Sequence, residues 1–330
     1  MWAGRASGNG ARCRDWQGRS PIANRNILRR VQDAVRYRLF RQSWNIAVTP
    51  YPIAQVAGLL GRKAQDEALD ALCWMDEERA LFRADPFPIG RRDGTGIDIY
   101  FEQLRWSEDR GTIDRVTYDG HKFGSVEPVM RTDHHLSYPY TVSSTDIDLV
   151  MPEQGEAGFV AAYNPDRGFE APMHVLSEQP LVDASLIERN GRYWMFATKS
   201  GPNVNRDLYL FTADAISGPW SACQDAPVKS DLGSARPAGH MFEHDGELYR
   251  PSQNCADYYG ENIVINRIVR LDEDGFVEEQ VSEIRPRKAS PYRDGLHTIS
   301  TSGKHTVIDG ARLISTFHAS LDWASALVRQ

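Results

Sequence analysis

Residues 182–200 read "VDASLIERNGRYWMFATKS": a short apolar strand that opens on a small or polar residue, a turn carrying Gly191, and a second strand that ends on polar residues. The same grammar recurs in four other places. It appears as "ADPFPIGRRDGTGIDIYFEQ" from Ala84, "SYPYTVSSTDIDLVMPEQ" from Ser137, "ARPAGHMFEHDGELYRPSQ" from Ala235 and "LHTISTSGKHTVIDG" from Leu296. The second residue of each copy is Asp85, Tyr138, Asp183, Arg236 or His297, with spacings of 53, 45, 53 and 61 residues. Repeats of about this length are the signature of propeller blades.

Most units offer two further strands. "RDLYLFTAD" and a turn at "SGPW" follow Asp183, "NIVINRIVRL" and "GFVEEQVSEI" follow Arg236, and "GTIDRVTYDG" and "GSVEPVM" follow Asp85. The alternation and the Gly/Asp turns favour antiparallel pairing. About twenty strands do not stay in one open sheet, and radial repetition removes the exposed edges. The expected fold is therefore all-β: a five-bladed propeller of four-stranded antiparallel blades over residues 44–330, with blades beginning near 84, 137, 182, 235 and 296. Too little chain follows the fifth copy for four strands. The early strand "WNIAVT" (44–49) is expected to complete the last blade by pairing near 312–317. Helix-like stretches in 52–80 are expected outside the ring.

Composition is that of a globular chain, 41% apolar and 25% charged. No apolar run reaches the roughly 18 residues of a membrane span, and the N-terminus lacks the apolar stretch of a signal peptide. Cys13, Cys73, Cys223 and Cys255 form no C-x-x-C pair, which suits reduced thiols and a cytoplasmic location. The net charge of −7 hides an asymmetry: residues 1–42 hold ten Arg, no Lys and two Asp, a local +8 that leaves −15 on the remainder. Residues 1–43 read as a short basic helical extension, either a solvated face or a docking segment for an acidic, glycan-assembly partner or an anionic surface. The acidic body argues against nucleic acid.

"ADPF", "VDASLI…GRYWMFAT" and "LFTADAISGPW" resemble the five-bladed propeller superfamily of arabinanases, invertases and levansucrases. "HLSYPY", "MPE", "PLVDASL", "PVKSD", "SARPAG" and "YRPSQNC" more closely resemble the N-terminal domain of glucosamine inositolphosphorylceramide transferases and its bacterial relatives, over about residues 44–318. The transferase domain that follows in the plant proteins is not expected in this chain.

In such a propeller two rings of side chains converge at one mouth. The inner ring is Asp85, Tyr138, Asp183, Arg236 and His297; the outer ring includes Glu102, Glu153, Lys199 and Gln253. Carboxylates set around a sugar perform glycoside hydrolysis, one protonating the leaving oxygen while another attacks or activates water. The resemblance implies that the first-blade Asp is the base or nucleophile, the third-blade Asp orients, and a fourth-blade Glu is the acid. Here Arg236 stands where that Glu is expected, and a guanidinium is no general acid. Glu153 is the expected substitute, with Asp85 and Asp183 in the other roles, and Glu102 is a further carboxyl at the mouth. Arg236 is set either to pair with Asp231 in blade packing or, with Lys199, His240 and His297, to bind phosphate or an acidic sugar. Tyr138, Trp194 and Trp220 also suit blade core. No cofactor is required, although the resemblance makes a structural calcium on the axis compatible with His297. The function expected is a carbohydrate-active enzyme, glycoside hydrolase-like, that cleaves or transfers a glycosyl unit, a furanoside among the candidates. The alternatives are a non-catalytic glycan-recognition or scaffold domain, and a phosphorylase or glycosyltransferase using a phosphorylated sugar.

Overall fold

The computed structural model describes residues 40–315, apart from positions 79, 109, 145, 146 and 274. The expected basic helix lies largely outside the described residues, but its assigned end does not: Phe40 already begins a strand. The chain opens with β1 (Phe40–Thr49), the short helices α1 (Ile53–Val56) and α2 (Arg62–Asp70), and β2 (Cys73–Trp74). The first repeat forms β3 (Leu81–Gly90), β4 (Ile97–Arg105), β5 (Thr112–Tyr118) and β6 (Phe123–Met130). The second forms β7 (Ser137–Ser143), β8 (Asp148–Glu153), β9 (Val160–Ala162) and β10 (His174–Ser177). The third comprises β11 (Leu181–Arg189), β12 (Arg192–Lys199), β13 (Asp207–Ala213), β14 (Ser221–Ala222) and β15 (Lys229–Ser230). The fourth comprises β16 (Phe242–His244), β17 (Glu247–Asn254), β18 (Asn262–Asp272) and β19 (Gly275–Ile284), and the last contributes β20 (Ile299–Ser302) and β21 (His305–Ser315).

Pairing between named strands is antiparallel throughout. The expectation of five four-stranded blades is corrected. Among the described residues four sheets have four or more strands: β3–β6, β11–β15, β16–β19, and a closing sheet ordered β2-β1-β21-β20. The second repeat is split into β7-β8 and β9-β10. One bridge joins the halves, Val150 and Tyr163 exchanging both backbone hydrogen bonds at 2.8 Å. The physical cause is local. After Glu153 the chain winds into a 3-10 turn at Gly155–Ala157 ended by Gly158 at φ 81°, leaving β9 only three residues.

The first strand closes the molecule as expected, but with a different register. Residues 44–49 pair with Ala311 back to Thr306, and it is Phe40–Ser43 that pairs with Arg312–Ser315. β1 lies between β21 and β2, so both of its edges are hydrogen-bonded. Seven successive residues, Ser43–Thr49, are buried, as a strand covered on both faces requires.

The helices pack where a gap remains. Ile53, Ala54 and Val56 of α1 and Ala68 and Leu69 of α2 share a core with Phe242, Tyr249, Ile263, Ile265 and Ile284 of the fourth repeat and Ile299 and Ile308 of the last. None of the described helices is long and apolar enough to cross a membrane. Cys73, Cys223 and Cys255 are free thiols.

One backbone feature marks the first three repeats as equivalent. Asp85, Tyr138 and Asp183 all have positive φ, 52°, 41° and 52°. Each lies in a register shift: Ala84 to Phe87, Ser137 to Tyr140 and Val182 to Ser185. A bulge of this kind bends the strand and re-aims the side chain at that point. Asp85 and Asp183 therefore sit inside β3 and β11, past the strand starts, while Tyr138 is the second residue of β7. Arg236 and His297 precede β16 and β20 on irregular backbone. Between them Gly239, at φ 116°, approaches the Ile299 carbonyl so closely that a Cβ would collide with it.

Candidate active site

Asp85, Glu102, Glu153, Arg236 and His297 line a single cavity of ≈ 280 Å³, with Trp44, Phe82, His135 and Tyr259 among its other walls. The bulge in β3 aims Asp85 inward. Glu102 stands on β4 opposite Ala84, and Glu153 ends β8 opposite Ser137, so both occupy the same place in their repeats. Asp183 is buried behind this wall. Its Oδ2 accepts from Arg236 Nε at 2.5 Å and from Gln253 Nε2 at 2.9 Å. Arg236 also donates from Nη1 to Asn205 Oδ1 at 2.8 Å, and its guanidinium lies 5.2 Å from the Tyr259 ring centre. Arg236 thus pairs with Asp183, not Asp231, whose carboxylate accepts from Gly233 N and Ser234 Oγ in its own turn.

A second group was not foreseen. Asp309, on β21, is fully buried; its Oδ2 lies 2.6 Å from His297 Nδ1, while His297 Nε2 faces Asp85 Oδ1 at 3.5 Å. Asp309 also accepts from the backbone N–H groups of Asp85, His297 and Thr298. It therefore ties the first repeat to the last. The residue was visible in "HTVIDG", but an acid before glycine looks like a turn. Counting the second strand as for Glu102 gives Gly310, one residue further on, so the repeat alone did not point to Asp309.

Burial governs the proton affinities. It pushes Asp85 up to about 6 against the pull of protonated His297. Glu153 is pushed up to about 8, first by burial and then by the Asp183 carboxylate, with Arg236 opposing. Burial, then the Asp85 and Glu153 carboxylates, hold Glu102 well above the carboxylate range. Burial alone would lower His297, but Asp309 and then Asp85 outweigh it and hold the imidazole above its usual value. Burial lowers His135; its Nδ1 accepts from Gly111 N–H at 2.9 Å and its Nε2 faces Glu102 Oε1 at 3.5 Å.

Besides Asp183, four expected site residues lie outside the cavity lining. Lys199 is one residue past the equivalent position. Thr198, opposite Val182, matches Glu102 and Glu153, and a one-residue step along a strand reverses the face. Lys199 Nζ packs instead 4.2 Å from the Tyr209 ring centre. His240 lines another cavity of ≈ 530 Å³ with Thr141, Leu186 and Thr301, at the far end of the inner strands. There it is bonded to Thr141 and Thr301, and burial lowers it to about 4. Tyr138 is core: its hydroxyl accepts from Gly239 N–H at 2.6 Å and lies 2.8 Å from Ser185 Oγ. Gln253 does not line the cavity; it holds Asp183.

Asp85, His297 and Asp309 each offer one atom within 4.8 Å of the others. The trio offers two carboxylate oxygens and one imidazole nitrogen, fewer than the six to eight ligands, waters included, that calcium takes.

The chain matches the family model described as glucosamine inositolphosphorylceramide transferase 1, N-terminal, over residues 77–299. It is 30% identical over 213 residues to glucosamine inositolphosphorylceramide transferase 1 of Oryza sativa subsp. japonica, covering 61% of this chain and 28% of that protein. The Arabidopsis thaliana protein of the same name is 30% identical over 217 residues, covering 61% and 27%. The chain thus spans little more than a quarter of these relatives. Among solved structures it is similar to the exo-β-1,3-galactanase 1,3Gal43A of Clostridium thermocellum, with a TM-score of 0.51, 12% identity and coverage of 70% and 55%. It is also similar to a GH43 β-1,3-galactosidase, with a TM-score of 0.52, 9% identity and coverage of 64% and 49%. At such identities the likeness shows a shared β-propeller fold and nothing finer. The sequence match, over two thirds of the chain, shows more: the chain belongs to the glucosamine inositolphosphorylceramide transferase 1 N-terminal family.

Proposed function

We propose that the cavity binds a glycosyl unit and that the protein cleaves or transfers it. The observation that carries this reading is the presence of two buried carboxyls of different proton affinity on one cavity wall, Asp85 near 6 and Glu153 near 8. At pH 7 Asp85 is then mostly a carboxylate, suited to act as base or nucleophile, and Glu153 mostly retains its proton, suited to act as acid. Asp183 holds Arg236 and adds to the field that keeps Glu153 protonated. Trp44 and Tyr259 supply aromatic wall to the cavity. The curated relatives carry a sugar, glucosamine, in their name, which supports a carbohydrate ligand. The two halves of the second repeat act in this reading as a fifth blade, because only with them do the inner strands surround the cavity.

The test is turnover of a panel of furanosides and hexosides by wild type, Asp85→Asn and Glu153→Gln. Loss of about a thousandfold or more in kcat in either variant, with the fold intact, is the expected result. A second reading, glycan recognition without chemistry, draws on Arg236 in place of the expected fourth-repeat acid and on the small share of the relatives that this chain spans. Sugar binding that survives both substitutions, with no turnover of any substrate, would decide for it.

A further inference from the structure

We infer that the cavity accepts sugars that are uncharged or carry an ammonium group and rejects anionic ones. This rests on the carbohydrate reading above and names the ligand's charge. Arg236 and His297 were natural candidates for gripping phosphate or a uronate, but both are engaged. Arg236 spends Nε on Asp183 and Nη1 on Asn205. His297 lies between Asp309 and Asp85. Lys199 and His240 are outside the cavity. His135 takes a hydrogen bond from Gly111 N–H at Nδ1, so it faces Glu102 as a neutral ring.

Against these two matched cations the site sets five carboxyls: Asp85, Glu102 and Glu153 on the wall, and Asp183 and Asp309 immediately behind it. Glu102 is buried, yet among the described residues its carboxyl takes part in no side-chain hydrogen bond and has His135 Nε2 at 3.5 Å as its ion-pair neighbour. Its oxygens are available to a ligand's N–H or O–H. Arg236 keeps Nη2 for a neutral hydroxyl, but its charge is met by Asp183. An entering anion finds no uncompensated cation and, of the three wall carboxyls, meets the like charge of Asp85 in a poorly solvated space, Glu153 mostly retaining its proton, which is a basis for rejection. An entering ammonium meets acceptors.

The experiment measures dissociation constants by calorimetry at pH 7 for methyl glycosides of glucosamine, glucose and glucuronic acid, for the galacto counterparts, and for glucose 1-phosphate. The expected ranking places the amino and neutral sugars about tenfold or more ahead of the uronate and the phosphate. An anionic sugar binding as tightly as the neutral one of its series would overturn the inference and leave the carbohydrate reading intact. Binding by none of the panel would remove the carbohydrate reading, and the inference with it. Asp183→Asn provides a second arm, because it releases Arg236 from its counter-ion. Affinity for the glucuronide is expected to rise about tenfold over wild type, and no rise counts against the inference. Should that variant fail to fold, the wild-type ranking decides alone.

Discussion

Glu153→Gln separates the electrostatics of the cavity from any question of substrate. Glutamate ordinarily ionises near 4.5, and in the folded protein Glu153 is held up to about 8. As pH rises through this window the unfolded chain loses the Glu153 proton freely while the folded chain retains it. The residue therefore costs stability progressively between about pH 4.5 and 8, and the cost levels off above that. At about 1.4 kcal/mol per pH unit the limit is about 5 kcal/mol. Cavity water and the ability of Asp85 and Glu102 to take up protons in response reduce this to about 2–4 kcal/mol. The amide keeps the shape, and its carbonyl can still accept from Ser137 Oγ, which lies 3.2 Å from Glu153 Oε2. Urea unfolding at pH 5 and pH 8.5 is the assay. Wild type and variant should differ by less than about 1 kcal/mol at pH 5, where both groups are neutral in the folded protein. At pH 8.5 the variant should be more stable by about 2–4 kcal/mol, or roughly 4–8 °C in Tm. A difference that is flat with pH, or a variant less stable at pH 8.5, would show that Glu153 is not a strained buried carboxyl and would remove the general-acid assignment.

With an active substrate in hand, kcat/KM should follow a bell with limbs near pH 6 and pH 8. Activity falls below the first as Asp85 gains a proton and above the second as Glu153 loses one; an optimum outside this window would contradict the roles. Ala47→Pro tests the closure of the ring, since Ala47 pairs with Trp74 on one side and Ile308 on the other. Proline in a strand paired on both sides should cost about 3 kcal/mol or more, and unchanged urea unfolding would disprove the pairing. Gly239→Ala should destabilise by several kcal/mol, because a Cβ there meets the Ile299 carbonyl on backbone already at positive φ. Circular dichroism melting that matches wild type would show that the close approach is absent.

The repeat was legible because it is written locally. Alternating apolar residues, Gly and Asp turns and an acid at the second position of two copies predicted hairpins and made Asp85 and Asp183 equivalent, as their shared positive φ now shows. The same logic placed Glu102 and Glu153 together. The split of the second repeat was harder to read, since it turns on how many residues remain to β9 after one 3-10 turn.

What the sequence by itself determined was the all-β, repeating plan and the set of carboxyls at the strand ends, because period-two alternation and turn chemistry act between near neighbours. What only the tertiary structure decided was which of those groups meet. Arg236 and Asp183 are 53 residues apart and His297 and Asp85 far more, and their contacts depend on the angular placement of whole sheets. Thr198 replaced Lys199, and His240 went to the far cavity, because a side chain's direction reverses with each residue of a strand and its depth is set by how far along the inner strand it stands. The proton affinities followed last, since burial and opposing charge are properties of the assembled cavity and belong to no single stretch of chain.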